Sequence, residues 1–423
     1  MTRLTHFLCV SLLLSLTALT AFAQQPAPAP HGGSMHVKPG GVVFLEQPIE
    51  KIFDLSKAQN KPLMVEVYSP NCQHCQEFIT VLSDKRVGDL YKQAFVSARL
   101  PYEDKATHDW MAKHKVFAPS LPFFVYFTPD GEVMHAANCN PDVEMFLNVS
   151  KTAINPTTQG ANYPNRYRNG ERDANFLIDY GLYAKMTRDT TMNFTVMNEL
   201  VRAQPAEFYG SQTSYLILFR IMMDVDNPLS QHLINNIALY KKYENPSGNP
   251  PPPVAIADGL ITAALMSPKA SGYSSERVIQ LRGMLEKIGV DPLSATGRTV
   301  FAEISAYFRE KATAKAVARF DTLITKVPLA TPYYVFFANQ FNTHSPDLTD
   351  APSVVRWIEK ALADAKVTPT EQAELQAERA EAFRRMNQKE GAKEAAKKAL
   401  QLAQTAKLDT KRFEDLVNKV NAL

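Results

Sequence analysis

Cysteine is scarce in this chain: four in 423 residues, and Cys9 lies in the apolar N-terminal stretch. The other three, Cys72, Cys75 and Cys139, are too few for a disulfide-built secreted domain, which carries several pairs. A four-ligand structural zinc site is excluded as well, since no second Cys or His pair stands at zinc spacing. Covalent c-type haem needs a histidine directly after the second cysteine, and Gln76 stands there. Charge of one sign is also lacking. The 46 basic and 43 acidic residues leave a formal +3, without the basic clustering that a phosphate backbone requires, so nucleic acid is not an expected partner. Beyond residue 23 no run of about eighteen uninterrupted apolar residues occurs, and no membrane span is expected in the mature chain. No metal or organic cofactor is expected. His31, Met35 and His36 are dispersed donors in a Pro/Gly-rich segment, which reads as linker rather than as a ligand set.

What is present begins with an export signal. Arg3, a mostly apolar run from Phe7 to Leu19, and Ala21-Phe22-Ala23 before Gln24 have the layout of a signal peptide spanning residues 1–23, with cleavage expected after Ala23. The alternative is an uncleaved anchor; either way the bulk of the chain is exported, and a periplasmic location is expected. Residues 24–41, with Pro26, Pro28, Pro30 and Gly32-Gly33, read as a flexible linker.

From Val42 the pattern alternates. A helical stretch at 49–57 precedes the strand-like Pro62–Tyr68, then come a helix over 75–92, a strand at 95–100 and a helix near 106–114. The aromatic run Phe123–Phe127, the turn Thr128-Pro129-Asp130-Gly131 and a strand at 132–135 make a hairpin, and a helix over 142–152 closes an α/β domain of residues 42–154. Residues 155–173, with Pro156, Gly160, Pro164 and Gly170, read as a second linker. Residues 174–423 carry helical spacings almost throughout, which predicts a separate all-α domain. The length of the chain itself calls for at least two domains.

Chemistry concentrates at Cys72-Gln73-His74-Cys75. A thiolate attacks a disulfide far better than a thiol does, so a redox site needs one exposed cysteine of lowered pKa and a second within reach. Two intervening residues on the first turn of a helix supply both. Cys72 at the helix N-terminus gains from unpaired N–H groups and the helix dipole, while Cys75 is shielded one turn further on. Cys72 is therefore the expected nucleophile and Cys75 the resolving thiol. His74 is a candidate for favouring the Cys72 thiolate through an imidazolium; a solvated helix residue is the alternative.

The stretch from Pro62 to Cys75, with Val65-Glu66-Val67-Tyr68-Ser69-Pro70-Asn71 leading into the motif, resembles the active-site segment of thioredoxins and especially of protein disulfide isomerases. The resemblance covers about residues 42–154. It implies a thioredoxin-like domain, a central mixed sheet flanked by helices, ahead of the all-α region. Glu66 falls on the family's buried acid, which implies that it accepts the Cys75 proton during resolution; an acid on a solvated strand face is the alternative. Pro122 falls on the family's cis-proline, with Pro119 a nearby competitor, and Leu121 then supplies the backbone groups that bind the client. Asn71 replaces the family's usual tryptophan, and Gln73-His74 departs from the usual inner pair, so potential and client preference are not implied.

In the C-terminal region Ala373, Ala377, Ala380 and Phe383, followed by Ala392, Ala396 and Ala399, resemble one tetratricopeptide repeat, and a generic helical hairpin fits equally. The expected function is an exported thiol:disulfide oxidoreductase or isomerase working through the Cys72/Cys75 redox disulfide. Its implied partners are protein thiols and disulfides as substrates, a redox partner protein, and a protein partner on the helical domain. A non-catalytic scaffold or chaperone is the competing class, and the intact cysteine pair weighs against it. Cys139 is given no catalytic role.

Overall fold

The structure is a computed structural model that describes residues 35–246 and 248–423; the signal expected at 1–23 and the linker up to residue 34 lie outside the described residues. Its centre is strand β1 (Leu63–Tyr68), buried on both faces for most of its length. A strand covered on both sides reads as a continuous apolar run, and Glu66 is the one break in that run. The other strands are β2 (Val96–Pro101), β3 (Phe123–Phe127) and β4 (Val133–Ala137), in the spatial order β2-β1-β3-β4. β1 pairs with β2 in parallel and with β3 antiparallel, and β3 pairs antiparallel with β4, which makes a four-stranded mixed sheet.

The period of two sorts the side chains by face. Leu63, Val65 and Val67 pack with Ala98, Phe123, Val125 and Phe127 on one side. Met64 packs on the other with Phe124, Tyr126 and the helix residues Phe78 and Leu82. Glu66 has the parity of Met64, so its carboxyl is delivered to the face covered by the helix that follows β1.

Helix α1 (Ile49–Gln59) precedes β1 and ends on Asn60 in the left-handed region, a position that asparagine tolerates. The helix expected over 75–92 is two helices, α2 (Gln73–Leu82) and α3 (Lys85–Ala94). The reason is Asp84, whose side chain accepts the Arg86 N–H at 2.8 Å and so starts a new helix inside the apolar periodicity. Helix α4 (Lys105–Lys113) leads to β3, and α5 (Val143–Ile154) follows β4, capped by Asp142 accepting the Met145 N–H.

Two stretches read as linkers are built into the fold. Residues 35–41 are held to the domain: the Lys38 N–H donates to Ser83 Oγ at 3.0 Å, and Met35 and Val37 pack against the core. Gly88 makes this contact possible, because a Cβ there would overlap the Gly40 carbonyl and the Gly41 backbone. Within residues 155–173 runs α6 (Tyr163–Arg168), with Tyr163 buried, and the Gly160 N–H donates to His135 Nδ1 at 3.1 Å. Then come α7 (Ala174–Met186) and α8 (Thr190–Arg202). The Phe117 N–H donates to the Met186 carbonyl at 2.7 Å, and Met186 is buried beside Val116 and Phe127.

The chain packs as two compact units, the described residues up to Leu260 and then Ile261–Leu423. The composition-based division at 155–173 therefore falls inside the first unit. The second unit is helical throughout its described residues. Phe320, Phe337, Phe341 and Trp357 form its aromatic centre. Two buried carboxylates are paired there, Asp350 with Arg385 and Glu303 with Arg282 and Arg319, since an unpaired buried charge would be costly. Two of its later helices, Pro369–Arg385 and Lys389–Thr405, meet through alanines that let them approach closely. Among the described residues no helix is long and apolar enough to cross a membrane.

Candidate active site

Cys72 occupies the N-cap position of α2 with extended backbone angles, and it makes no side-chain cap of the ordinary oxygen type. The first N–H groups of a helix have no partner within it. The free N–H groups of Cys75 and His74 at this helix start favour negative charge on the Cys72 sulfur. Cys72 is partly exposed, whereas Cys75 is fully buried.

The two sulfurs differ in their ionisation. The Cys72 thiol is lowered to about 6, chiefly by a hydrogen bond from the Cys75 thiol, then by the N–H groups of Cys75 and His74 and by the charge of His74, against the opposing effect of burial. The Cys75 thiol is pushed far up, because it donates that hydrogen bond and is buried, and the charges on Cys72 and Glu66 add to the shift. The Ser69 N–H donates to Cys75 Sγ at 3.5 Å and pulls the other way. At neutral pH the pair is thus one thiolate facing solvent and one thiol behind it. Alkylation of the reduced protein by iodoacetamide should follow a single ionisation with a midpoint near pH 6, at Cys72 alone; a midpoint above pH 8 would contradict this electrostatic arrangement.

Glu66 lies behind Cys75 with no exposed surface. Burial pushes its carboxyl up to about 7, against the pull of Arg99. Arg99 neighbours Glu66 in the β1–β2 register and brings Nη2 to 3.0 Å from Oε2. That contact is an ion-pair approach without hydrogen-bond alignment, so neither carboxyl oxygen has a donor among the described residues. The guanidinium lies 4.8 Å from the Phe44 ring and 4.1 Å from the Tyr68 ring, and Nη1 donates to the Met35 carbonyl at 2.9 Å. Aromatic faces and a single carbonyl hold this partly buried cation beside the carboxyl. A carboxyl with a pKa near neutrality can take up and release a proton at neutral pH.

The remaining expected residues fall around this pair. The Leu121–Pro122 peptide bond is cis, and the Cys72 thiol donates to the Leu121 carbonyl at 3.6 Å. The Leu121 carbonyl thus lies against the Cys72 sulfur. The His74 ring is exposed and engages Glu77 one turn on, Nδ1 to Oε2 at 3.2 Å. Its backbone N–H serves Cys72 more than its ring charge does. Cys139 is partly buried against the core, and burial with the nearby Asp142 charge pushes its thiol up to about 12, which leaves it a poor nucleophile.

Three contributors were not picked out from sequence. Arg99 is the one charged residue of β2, a signal that was present. Ser69 Oγ accepts the Asn71 N–H at 3.1 Å and donates to Glu103, fixing the turn into the motif. Asn138 Nδ2 donates to the Ser120 carbonyl at 2.9 Å and to the Pro122 carbonyl at 2.7 Å, which ties down the loop facing Cys72. Neither of these last two has a local sequence signature. No group of three His, Cys, Asp or Glu suited to a metal occurs among the described residues. Compared with protein-family models and with curated proteins, the chain matches none of either.

Proposed function

We propose that the protein is an exported thiol:disulfide oxidoreductase with a thioredoxin-like N-terminal domain, exchanging disulfides with protein clients through Cys72 and Cys75. The observation that carries this reading is the asymmetry of the pair, an accessible Cys72 sulfur lowered to about 6 at a helix N-terminus and a buried Cys75 thiol beside a carboxyl of about 7. The mixed sheet and the cis bond before Pro122 are compatible with the thioredoxin-like reading.

In the reductive direction the Cys72 thiolate attacks one sulfur of a client disulfide, forming the Cys72–client bond and releasing the other client sulfur as a thiolate. The Leu121 backbone aligns the mixed disulfide. Glu66, as carboxylate, accepts the Cys75 proton, and the Cys75 thiolate attacks Cys72 Sγ. This closes Cys72–Cys75 and expels the reduced client, so two electrons have passed to the client. The reverse sequence donates a disulfide, and a redox partner protein resets the pair.

Insulin precipitation with dithiothreitol and refolding of scrambled ribonuclease test the activity. Wild type should accelerate both, and Cys72→Ser should fall to the uncatalysed rate. Equal rates for wild type and variant would sink the proposal and favour the scaffold class.

A further inference from the structure

Ser69 joins β1 to the cysteine motif, is 6% exposed, and spends all of its polar groups on that junction. Its carbonyl accepts the Cys72 N–H at 3.2 Å, which closes a four-residue turn with Pro70 and Asn71 at its centre. Its N–H donates to Cys75 Sγ at 3.5 Å, and its Oγ accepts the Asn71 N–H at 3.1 Å. The hydroxyl proton goes to Glu103 Oε1, a charge-assisted bond that fixes the direction of Oγ.

Glu103 reaches this place through the sheet. β1 and β2 run in parallel register as far as Tyr68 and Pro101, and the Tyr102 N–H donates to the Tyr68 carbonyl at 2.7 Å, so the next residue comes alongside Ser69. The resolving step makes a demand that this arrangement meets. The Cys75 thiol is held far up by its hydrogen bond to Cys72 and by burial, and the Ser69 N–H pulls against both. Once Glu66 takes the proton, the negative charge on Cys75 Sγ needs a donor, and the Ser69 N–H already points at it. A donor set toward developing charge in advance costs no reorganisation when the charge forms.

We propose that Ser69 is a positioning residue for the resolving step: Glu103 anchors its hydroxyl, the hydroxyl holds the turn, and the turn keeps the Ser69 N–H on Cys75 Sγ as that sulfur attacks Cys72 Sγ. In that step the Cys75–Cys72 bond forms, the bond from Cys72 to the departing thiolate breaks, and the Cys75 proton passes to Glu66. The role deepens the oxidoreductase reading and rests on it. Neither the Ser69 hydroxyl nor the Glu103 carboxylate bonds a reacting sulfur; both act through the Ser69 backbone.

The test mixes the reduced full chain with dithiobis(nitrobenzoate) in stopped flow. Wild type should release thionitrobenzoate in two successive phases, the first from attack by Cys72 and the second from ring closure by Cys75; Cys139, whose thiol is pushed up to about 12, reacts too slowly to blur them. Ser69→Ala should slow the second phase about tenfold and Glu103→Ala about threefold, the size expected for a misaligned donor rather than a lost one, with the first phase within about twofold of wild type. The double variant should be no slower than Ser69→Ala, because both changes act through one hydroxyl. Glu103→Gln, whose amide oxygen still accepts the Ser69 O–H, should recover most of the wild-type rate. In the pH profile of the second phase, Ser69→Ala should lower the plateau without moving its midpoint of about 7, since Glu66 is untouched. An unchanged second phase, equal slowing of both phases, additive slowing in the double variant, or Glu103→Gln as slow as Glu103→Ala would each overturn the positioning role. A wild type without a second phase would remove the oxidoreductase reading itself, whereas two phases in wild type and in unaffected variants would remove the positioning role alone.

Discussion

With Cys75→Ser, turnover is expected to stop at the mixed disulfide. Cys72 keeps its place at the α2 N-terminus and the backbone N–H groups that stabilise its thiolate, so the attack on a client disulfide survives. The second half of the reaction does not. A serine hydroxyl in place of the Cys75 thiol cannot form the intramolecular disulfide, and Cys139, whose thiol is pushed up to about 12, cannot stand in for it. In a single-turnover assay without free thiol, the wild type should release its reduced client. The variant should instead accumulate a client-linked species on non-reducing gels, with product release slower by on the order of 10³-fold or more. Losing its hydrogen-bond donor from the Cys75 thiol, the Cys72 thiol should also rise from about 6, although a serine hydroxyl restores part of that bond. Rapid release of free client from Cys75→Ser would contradict the assignment of Cys75 as the resolving thiol.

The second large effect is expected at Glu66. Cys75 must lose a proton from a thiol held far above its usual range, and Glu66 is the buried carboxyl whose charge it feels. Glu66→Gln keeps the shape and removes the base, so resolution of the mixed disulfide should slow by about 10²-fold at pH 7. The wild-type rate should rise with pH and level off above about 7, where the carboxyl is ionised. In the variant it should climb without that plateau, because hydroxide then takes the proton.

The same group leaves a mark on stability. Its folded pKa of about 7 lies above the ordinary 4.5, so the protonated form is favoured in the folded state. The resulting stabilisation is fully present below pH 4.5 and is lost as the pH rises through 7. It amounts to about 3 kcal/mol for a shift of this size in a fully buried group. Measured by urea denaturation, Glu66→Gln should therefore gain on wild type by about that amount between pH 4.5 and pH 8. A pH-independent difference would mean that Glu66 is already ionised throughout this range.

The parts legible in the sequence are those set by local pattern. The aromatic run of β3 and the apolar run of β1 could be nothing but buried strands, and the turn at Thr128–Gly131 fixed the hairpin between β3 and β4. The cysteine pair is a four-residue signal, and its place on the first turn of a helix follows from the strand before it. The break between α2 and α3 was also legible in principle, since Ser83-Asp84 interrupts an apolar stripe with a capping residue. What escaped depends on residues distant in sequence. Arg99 meets Glu66 through strand register. Asn138 holds carbonyls sixteen and eighteen positions earlier. The compositionally linker-like stretch at 155–173 is instead folded, because Tyr163 finds a buried place beside Phe176 and Tyr180 and α7 lays Met186 under the sheet. Composition reports the polarity of such a stretch, but not the surface waiting to receive it.

A redox titration of the Cys72/Cys75 couple in glutathione buffers, followed by mass spectrometry of alkylated protein, tests the central claim most directly. The expected result is a single two-electron transition between a dithiol and a Cys72–Cys75 disulfide. Cysteines that stay alkylatable across the whole range, with no disulfide linking 72 to 75, would contradict the claim.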